Sequence, residues 1–116
     1  MAGDRLDSTK EALARLREDF AGRLEGTVAT LTGLAERIEA TETQVAALAE
    51  LQRELHRIRG TAGTFGFTGA ARLAAEMERA VETWRLESGG NMAAAQEQAA
   101  RVRQFIALFA SQVKAG

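Results

Sequence analysis

His56 is the one imidazole in the chain, in the run Leu55-His56-Arg57-Ile58-Arg59-Gly60-Thr61-Ala62-Gly63-Thr64-Phe65-Gly66. An ordinary imidazole, with a pKa of about 6.5, is mostly neutral near pH 7 and keeps a lone pair for nucleophilic attack. The apolar spacing around it is helical and turns His56 away from the apolar stripe. On such a helix its neighbours are Gln52, Arg53, Arg59, Gly60 and, a turn further on, Gly63. They are cationic, polar or without a side chain. A glycine costs about 1 kcal/mol relative to alanine inside a helix, so two beside one imidazole call for a reason. Clearance for an approaching protein is such a reason. A lone helical histidine is more often an ordinary solvated residue, and it is the surrounding pattern that favours chemistry here. Metal or haem binding fits poorly, since one histidine, no cysteine and no paired ligand motif leave an ion under-coordinated.

The elements that must position this histidine follow from apolar periodicity. Ser8 with Glu11 reads as a capping box, and Leu13, Leu16, Phe20, Leu24, Val28, Leu31, Leu34 and Ile38 then recur at helical spacing, predicting a first helix over residues 8–39. Gly22 and Gly26 weaken it, and it is expected to kink or split near them. Thr41 with Gln44 opens a second helix whose core stripe is Val45, Leu48, Leu51, Leu55, Ile58, Ala62 and Phe65, with a stop near Gly66. Thr68 is the expected cap of a third helix carrying Leu73, Met77, Val81 and Trp84 and ending before Gly89-Gly90. Asn91 caps a fourth, with Met92, Ala95, Ala99, Val102, Ile106, Phe109 and Val113 as its seam. Short connections favour antiparallel neighbours. The expected fold is therefore all-α, an antiparallel up-down four-helix bundle in a single domain over residues 1–116.

Composition narrows the function classes. Fifteen basic against sixteen acidic residues leave a formal net charge of −1, without the basic block that neutralises nucleic-acid phosphates. No apolar run approaches the roughly 20 residues that span a bilayer, and charge begins at Asp4 and Arg5, so neither a membrane span nor a secretory signal is expected. A cytoplasmic protein is the default expectation, and the absence of cysteine is compatible with it. The glycines at 60, 63, 66 and 69 make neither a collagen repeat nor a phosphate loop, which would end in Lys-Ser or Lys-Thr.

The run from His56 to Phe67 resembles the active-site helix of histidine-containing phosphotransfer (HPt) domains, whose signature is His-x-x-Lys-Gly followed by small residues and a further Gly. The likeness continues into Leu73-x-x-x-Met77-Glu78 downstream and Leu13-x-x-Leu16-x-x-x-Phe20 upstream. Gly63-Thr64-Phe65-Gly66-Phe67 is also similar to the phosphotransfer domain of chemotaxis histidine kinases, although nothing else of such a kinase is present. The resemblance implies that His56 takes a phosphoryl group on Nε2 from a kinase or a receiver phospho-aspartate and passes it to a receiver aspartate. It implies that Glu78, 22 positions on, holds Nδ1 and that Arg59, in place of the usual Lys, screens the phosphoryl group. Gln52, Arg53, Arg57, Gly60, Gly63 and Thr64 become the expected docking surface, although Arg53 and Arg57 read equally well as solvated charges.

The implied partners are response-regulator receiver domains and a histidine kinase, with a monomeric carrier between them. No cofactor is expected on this chain, and Mg²⁺ is expected on the receiver, because nothing here resembles an acidic Mg²⁺ pocket or an ATP-binding fold. The carrier is accordingly not an enzyme in its own right. Three alternatives stay open: a receiver- or kinase-binding scaffold that carries no phosphate, a phosphotransfer domain excised from a chemotaxis-type kinase, and a sensor-kinase dimerisation domain. The last usually has an acidic residue directly after His and a Pro soon after, whereas Arg57 follows here and proline is absent.

Overall fold

The computed structural model describes residues 2–87 and 91–116, apart from the side chains of residues 2–4 and 6. Five α-helices make up the described residues: α1 (Ala2–Gly22), α2 (Leu24–Glu39), α3 (Gln44–Thr64), α4 (Thr68–Leu86) and α5 (Met92–Ala115). There are five helices instead of four because the first predicted helix splits, the break falling at Arg23 beside Gly22. Arg23 leaves helical geometry with ψ 2°. Its N–H is shared between the carbonyls of Asp19 (3.1 Å) and Phe20 (3.2 Å), a local tightening of the turn. Gly22 sits at the break, whereas Gly26 lies inside α2, so only the first of the two glycines marks a discontinuity.

α2 packs against α3 and α5, and α4 packs against the same two helices from the other side, which closes a ring around one core. Each contributes its predicted stripe. Leu31 and Ile38 of α2, Leu51, Leu55 and Ile58 of α3, Val81 of α4 and Val102 and Phe109 of α5 are sealed from solvent. Burial of each is worth about 1.5–3 kcal/mol, so α3 is anchored by the face opposite the exposed His56. A buried amide pair joins the start of α3 to α5, with Gln44 Nε2 donating to Gln98 Oε1 at 3.0 Å.

That pair explains one misplaced core residue. Gln44 enters the interior and Val45, expected in the stripe, is 74% exposed, because burying position 44 rotates its successor outward. Met92 is likewise 61% exposed, at the first residue of α5. Leu13 and Leu16 are exposed because α1 runs out past the ring, giving the molecule dimensions of 62 × 23 × 18 Å. Among the described residues the C-terminal part of α1 is the part tied down: Phe20 meets the rings of Phe65 and Phe67, and Arg17 lies over Phe67 at 4.9 Å and donates to the Gly116 carbonyl.

The helix starts also differ from expectation in a consistent way. α1 begins at Ala2, so Ser8 and Glu11 lie mid-helix and cap nothing. The Thr41–Gln44 box is absent: Thr43 occupies the N-cap of α3, and its hydroxyl turns back to donate to the Arg37 carbonyl at 2.6 Å, serving the end of α2. Thr68 is already the first residue of α4, with Phe67 at the cap. Asn91 does cap α5, its Oδ1 accepting from the N–H groups of Ala93 and Ala94. Gly89-Gly90, the expected stop after α4, lies outside the described residues, and α4 closes at Leu86 with an extended Glu87.

Candidate functional site

The turn between α3 and α4 sets the register of the site. After Thr64 the Gly66 N–H reaches the Gly63 carbonyl at 3.2 Å and the Phe67 N–H reaches the Ala62 carbonyl at 2.8 Å, the paired bonds of a Schellman motif. The motif needs a left-handed residue, and Gly66 supplies it with φ 85°. Phe67, just beyond, is buried beneath Phe20 and Arg17. The chain is thereby returned along α3. Gln52 meets Arg85, His56 and Arg59 meet Glu78, and Gly63 faces Ala71, so position falls along one helix as it rises along the other.

His56 stands on this seam with its side chain 70% exposed, whereas the Glu78 side chain is only 11% exposed. Nδ1 lies 3.1 Å from Glu78 Oε2. The other carboxylate oxygen, Oε1, forms an ion pair with Arg59 Nη1 at 3.1 Å, and Arg59 Nη2 comes within hydrogen-bond distance of Nδ1 at 3.3 Å. Nδ1 cannot both donate to Glu78 and accept from Arg59. A carboxylate has no proton to give, so the contact with Glu78 requires the tautomer with its proton on Nδ1, and in that tautomer Arg59 is left to pair with the carboxylate. The neutral ring then keeps its lone pair on Nε2, which has no hydrogen-bond partner among the described residues. A buried carboxylate needs such partners, because desolvating an unpaired charge is costly.

The glycines beside the ring are not there for close packing. A Cβ added at Gly60 would meet nothing within 4 Å, and one at Gly63 would touch only the Ala71 Cβ at 3.9 Å. Gly60, Gly63 and Thr64 are all exposed. Gln52, one turn before His56, is held by Arg85. The cations divide differently. Arg57 pairs with Glu54 and faces the groove lined by Phe20, Arg23 and Thr27, on the side of α3 away from the imidazole. Arg53 lies by the α2–α3 groove that contains Arg37 and Glu50.

The structure thus brings together His56, Arg59, Glu78, Gly60, Gly63 and Gln52, and sets Arg57 apart. Arg85 is the residue that sequence reasoning missed. In the antiparallel register one turn back along α3 from His56 corresponds to one turn ahead of Glu78 on α4, and the long Arg85 side chain reaches the Gln52 amide from a turn further on. Among the described residues no cluster of three acidic, histidine or cysteine side chains is placed to hold a metal ion, and no helix is long and apolar enough to cross a membrane.

No curated protein and no solved structure matches the chain. The family model of the Hpt domain does match, over residues 6–112, a span that contains the whole α3–α4 seam, all of α2 and all but the last turn of α5. With an exposed helical histidine at the centre of that span, the chain belongs to the Hpt domain family, the phosphocarrier modules of histidine phosphorelays.

Proposed function

We propose that His56 is the phosphoacceptor and that the chain is a cytoplasmic, monomeric single-domain carrier, α2–α5 forming the antiparallel up-down bundle that presents it. Nε2 attacks the phosphorus of a receiver phospho-aspartate or of a kinase-borne phosphoryl group. The P–N bond forms as the donor P–O bond breaks, and the reverse exchange loads a receiver aspartate. The observation that supports this reading is the imidazole whose Nδ1 is engaged by Glu78 at 3.1 Å while its opposite edge faces solvent beside two glycines. Much of the rate of phosphoryl transfer comes from positioning and charge stabilisation, so a carrier needs an oriented nucleophile and an uncluttered approach. The receiver supplies Mg²⁺ and the remaining charged groups, and this chain binds no cofactor of its own.

The direct test is His56→Gln, exposed to labelled phospho-receivers and to a kinase with ATP. The expected variant folds normally, because the replaced side chain is mostly solvated, and takes up no label. The wild-type label is acid-labile and base-stable, as a phosphoramidate requires. Label on the variant would falsify the assignment, and a wild type that binds receivers without taking label would make the chain a scaffold.

A further inference from the structure

Thr9, Leu13, Leu16 and Phe20 share one face of α1, at the alternating spacings of four and three residues that keep a helical stripe in line. The Thr9 hydroxyl is satisfied within the helix, donating to the Arg5 carbonyl at 2.9 Å, and Leu13 and Leu16 are 42% and 45% exposed. The charged residues that border this stripe are all cationic. Helical geometry puts Arg5 and Arg23, the latter just past the helix end, along one edge, and Lys10 and Arg17 along the other. Asp7, Glu11 and Glu18 lie on the far side, and Asp19 falls behind Arg23. α1 is thus divided by charge as well as by hydropathy.

The stripe faces the end of the ring. Its last members touch that end, Phe20 on Phe65 and Phe67 and the flanking Arg17 on Phe67 and Gly116. Beneath Leu16 it runs into a groove of about 270 Å³ lined by Phe20, Ile58 and Phe65, with Arg23 and Arg57 also in its wall. The overhang of α1 therefore makes an inside corner, and its shape and charge select an occupant. A second copy of α1 would set cationic edges against cationic edges, which repulsion disfavours. A flat lipid surface would meet the end of the ring before it reached Leu16. A single helix, about 10 Å across with its side chains, is narrow enough to lie in the corner, and carboxylates along its edges would meet the cations on both sides.

We propose that this face docks a partner protein through an amphipathic helix whose apolar stripe is bordered by Glu or Asp, with one apolar side chain in the groove beneath Leu16. The surface goes beyond the phosphocarrier reading and does not depend on it, since the groove lies on the side of α3 away from the imidazole.

The test is methyl NMR of the unphosphorylated full chain, titrated with two synthetic helices of about three heptads that carry Leu at a and d and either Glu or Lys at e and g. The Glu-bordered peptide is expected to shift the Leu13 and Leu16 methyl signals saturably, to bind at least about tenfold more tightly than the Lys-bordered one, and to weaken as salt is added. Leu13→Ser/Leu16→Ser should abolish binding, and Lys10→Glu/Arg23→Glu should reverse the preference between the peptides. All four positions are exposed, so circular dichroism should show both variants folded. Equal affinity for the two peptides, no saturable shift with either, or shifts centred on the His56 face would overturn the proposal. So would co-flotation with phosphatidylserine vesicles, or a dimer in sedimentation, that Leu13→Ser/Leu16→Ser removes, since these would make the occupant a membrane or a second copy. A chain that takes no phosphoryl label from any donor would defeat the assignment of His56 and leave these titrations unchanged.

Discussion

Beside His56, stability and activity are expected to separate. Gly63 has open space where a side chain would go, with only the Ala71 methyl in ordinary contact. Gly63→Gln should therefore keep the helicity and thermal midpoint, or gain up to about 1 kcal/mol from the better helix former. Its side chain would stand in the receiver's path, and a displacement of about 1 Å can cost around a hundredfold in rate. Circular dichroism with a phosphotransfer assay checks both halves, and normal transfer would mean that receivers do not approach over this face. Gly66 is the opposite case, since φ 85° is needed for the turn itself. Gly66→Ala should lose about 1–2 kcal/mol by chemical denaturation, with Gly66→Asn losing less. Most of the site was legible at this scale, because a helix repeat fixes which side chains neighbour His56 and the family pattern points to Glu78. The side of the ring that Arg59 takes was not, because one turn of helix places a side chain near the imidazole without choosing between its two nitrogens.

Among the elements, the core stripes were readable and the boundaries were not. Leu48, Leu51, Leu55, Ile58 and Ala62 are buried where periodicity puts them. Thr41, Thr68 and Ser8 each carry a hydroxyl suited to capping, but local propensity does not say which hydroxyl meets a helix end once tertiary packing has placed the chain. Gln44 shows the limit most clearly: a polar residue enters the core only because Gln98, 54 positions away, receives it. The α2–α3 pair adds a testable ionic contact on the side of α3 away from the histidine. Arg37 grips Glu50 through both carboxylate oxygens, at 2.6 and 3.2 Å, and this hydrogen bonding holds the Glu50 carboxyl below its ordinary range. A carboxyl depressed in the folded state contributes stability above its unfolded pKa, and the contribution is lost as pH falls through the folded value. The thermal midpoint of Glu50→Gln should therefore lie slightly below wild type at pH 7 and converge with it under acid, a small effect because the pair is exposed. A gap that is unchanged on acidification would remove the ion pair as its cause.

At the scale of the molecule, the radius of gyration is 16.5 Å, against about 13 Å for a compact chain of 100 residues. The excess is α1, whose described contacts with the ring centre on Arg17 and Phe20. An isolated helix of that length is marginal in water, so amides before Leu13 should exchange with solvent far faster than those of α3. Removing residues 1–12 should leave the unfolding free energy within about 0.5 kcal/mol of wild type while the scattering radius falls toward the compact value. A large loss of stability would show that the exposed apolar residues of α1 are covered in solution. The extension was hidden from sequence because Leu13 and Leu16 keep the same spacing as the buried residues after them, and periodicity marks a face without saying whether anything covers it.

The Schellman turn at Gly66 has a further consequence, for the order in which the protein acquires its competence. His56 and Glu78 are only 22 residues apart and are joined by one tight connection, so the loop to be closed before they meet is short. The contacts of α2 with α5 and of Gln44 with Gln98 close much longer stretches of chain. Low contact order favours early formation of the α3–α4 hairpin during folding, with the distant helix docking later onto its apolar face. In kinetic terms, substitutions at buried α3–α4 positions such as Ala74 should mainly slow folding, whereas those at Phe109 should mainly hasten unfolding. The proposed nucleophile and the carboxylate beside it thus lie in the same local unit, the one that low contact order favours for early assembly.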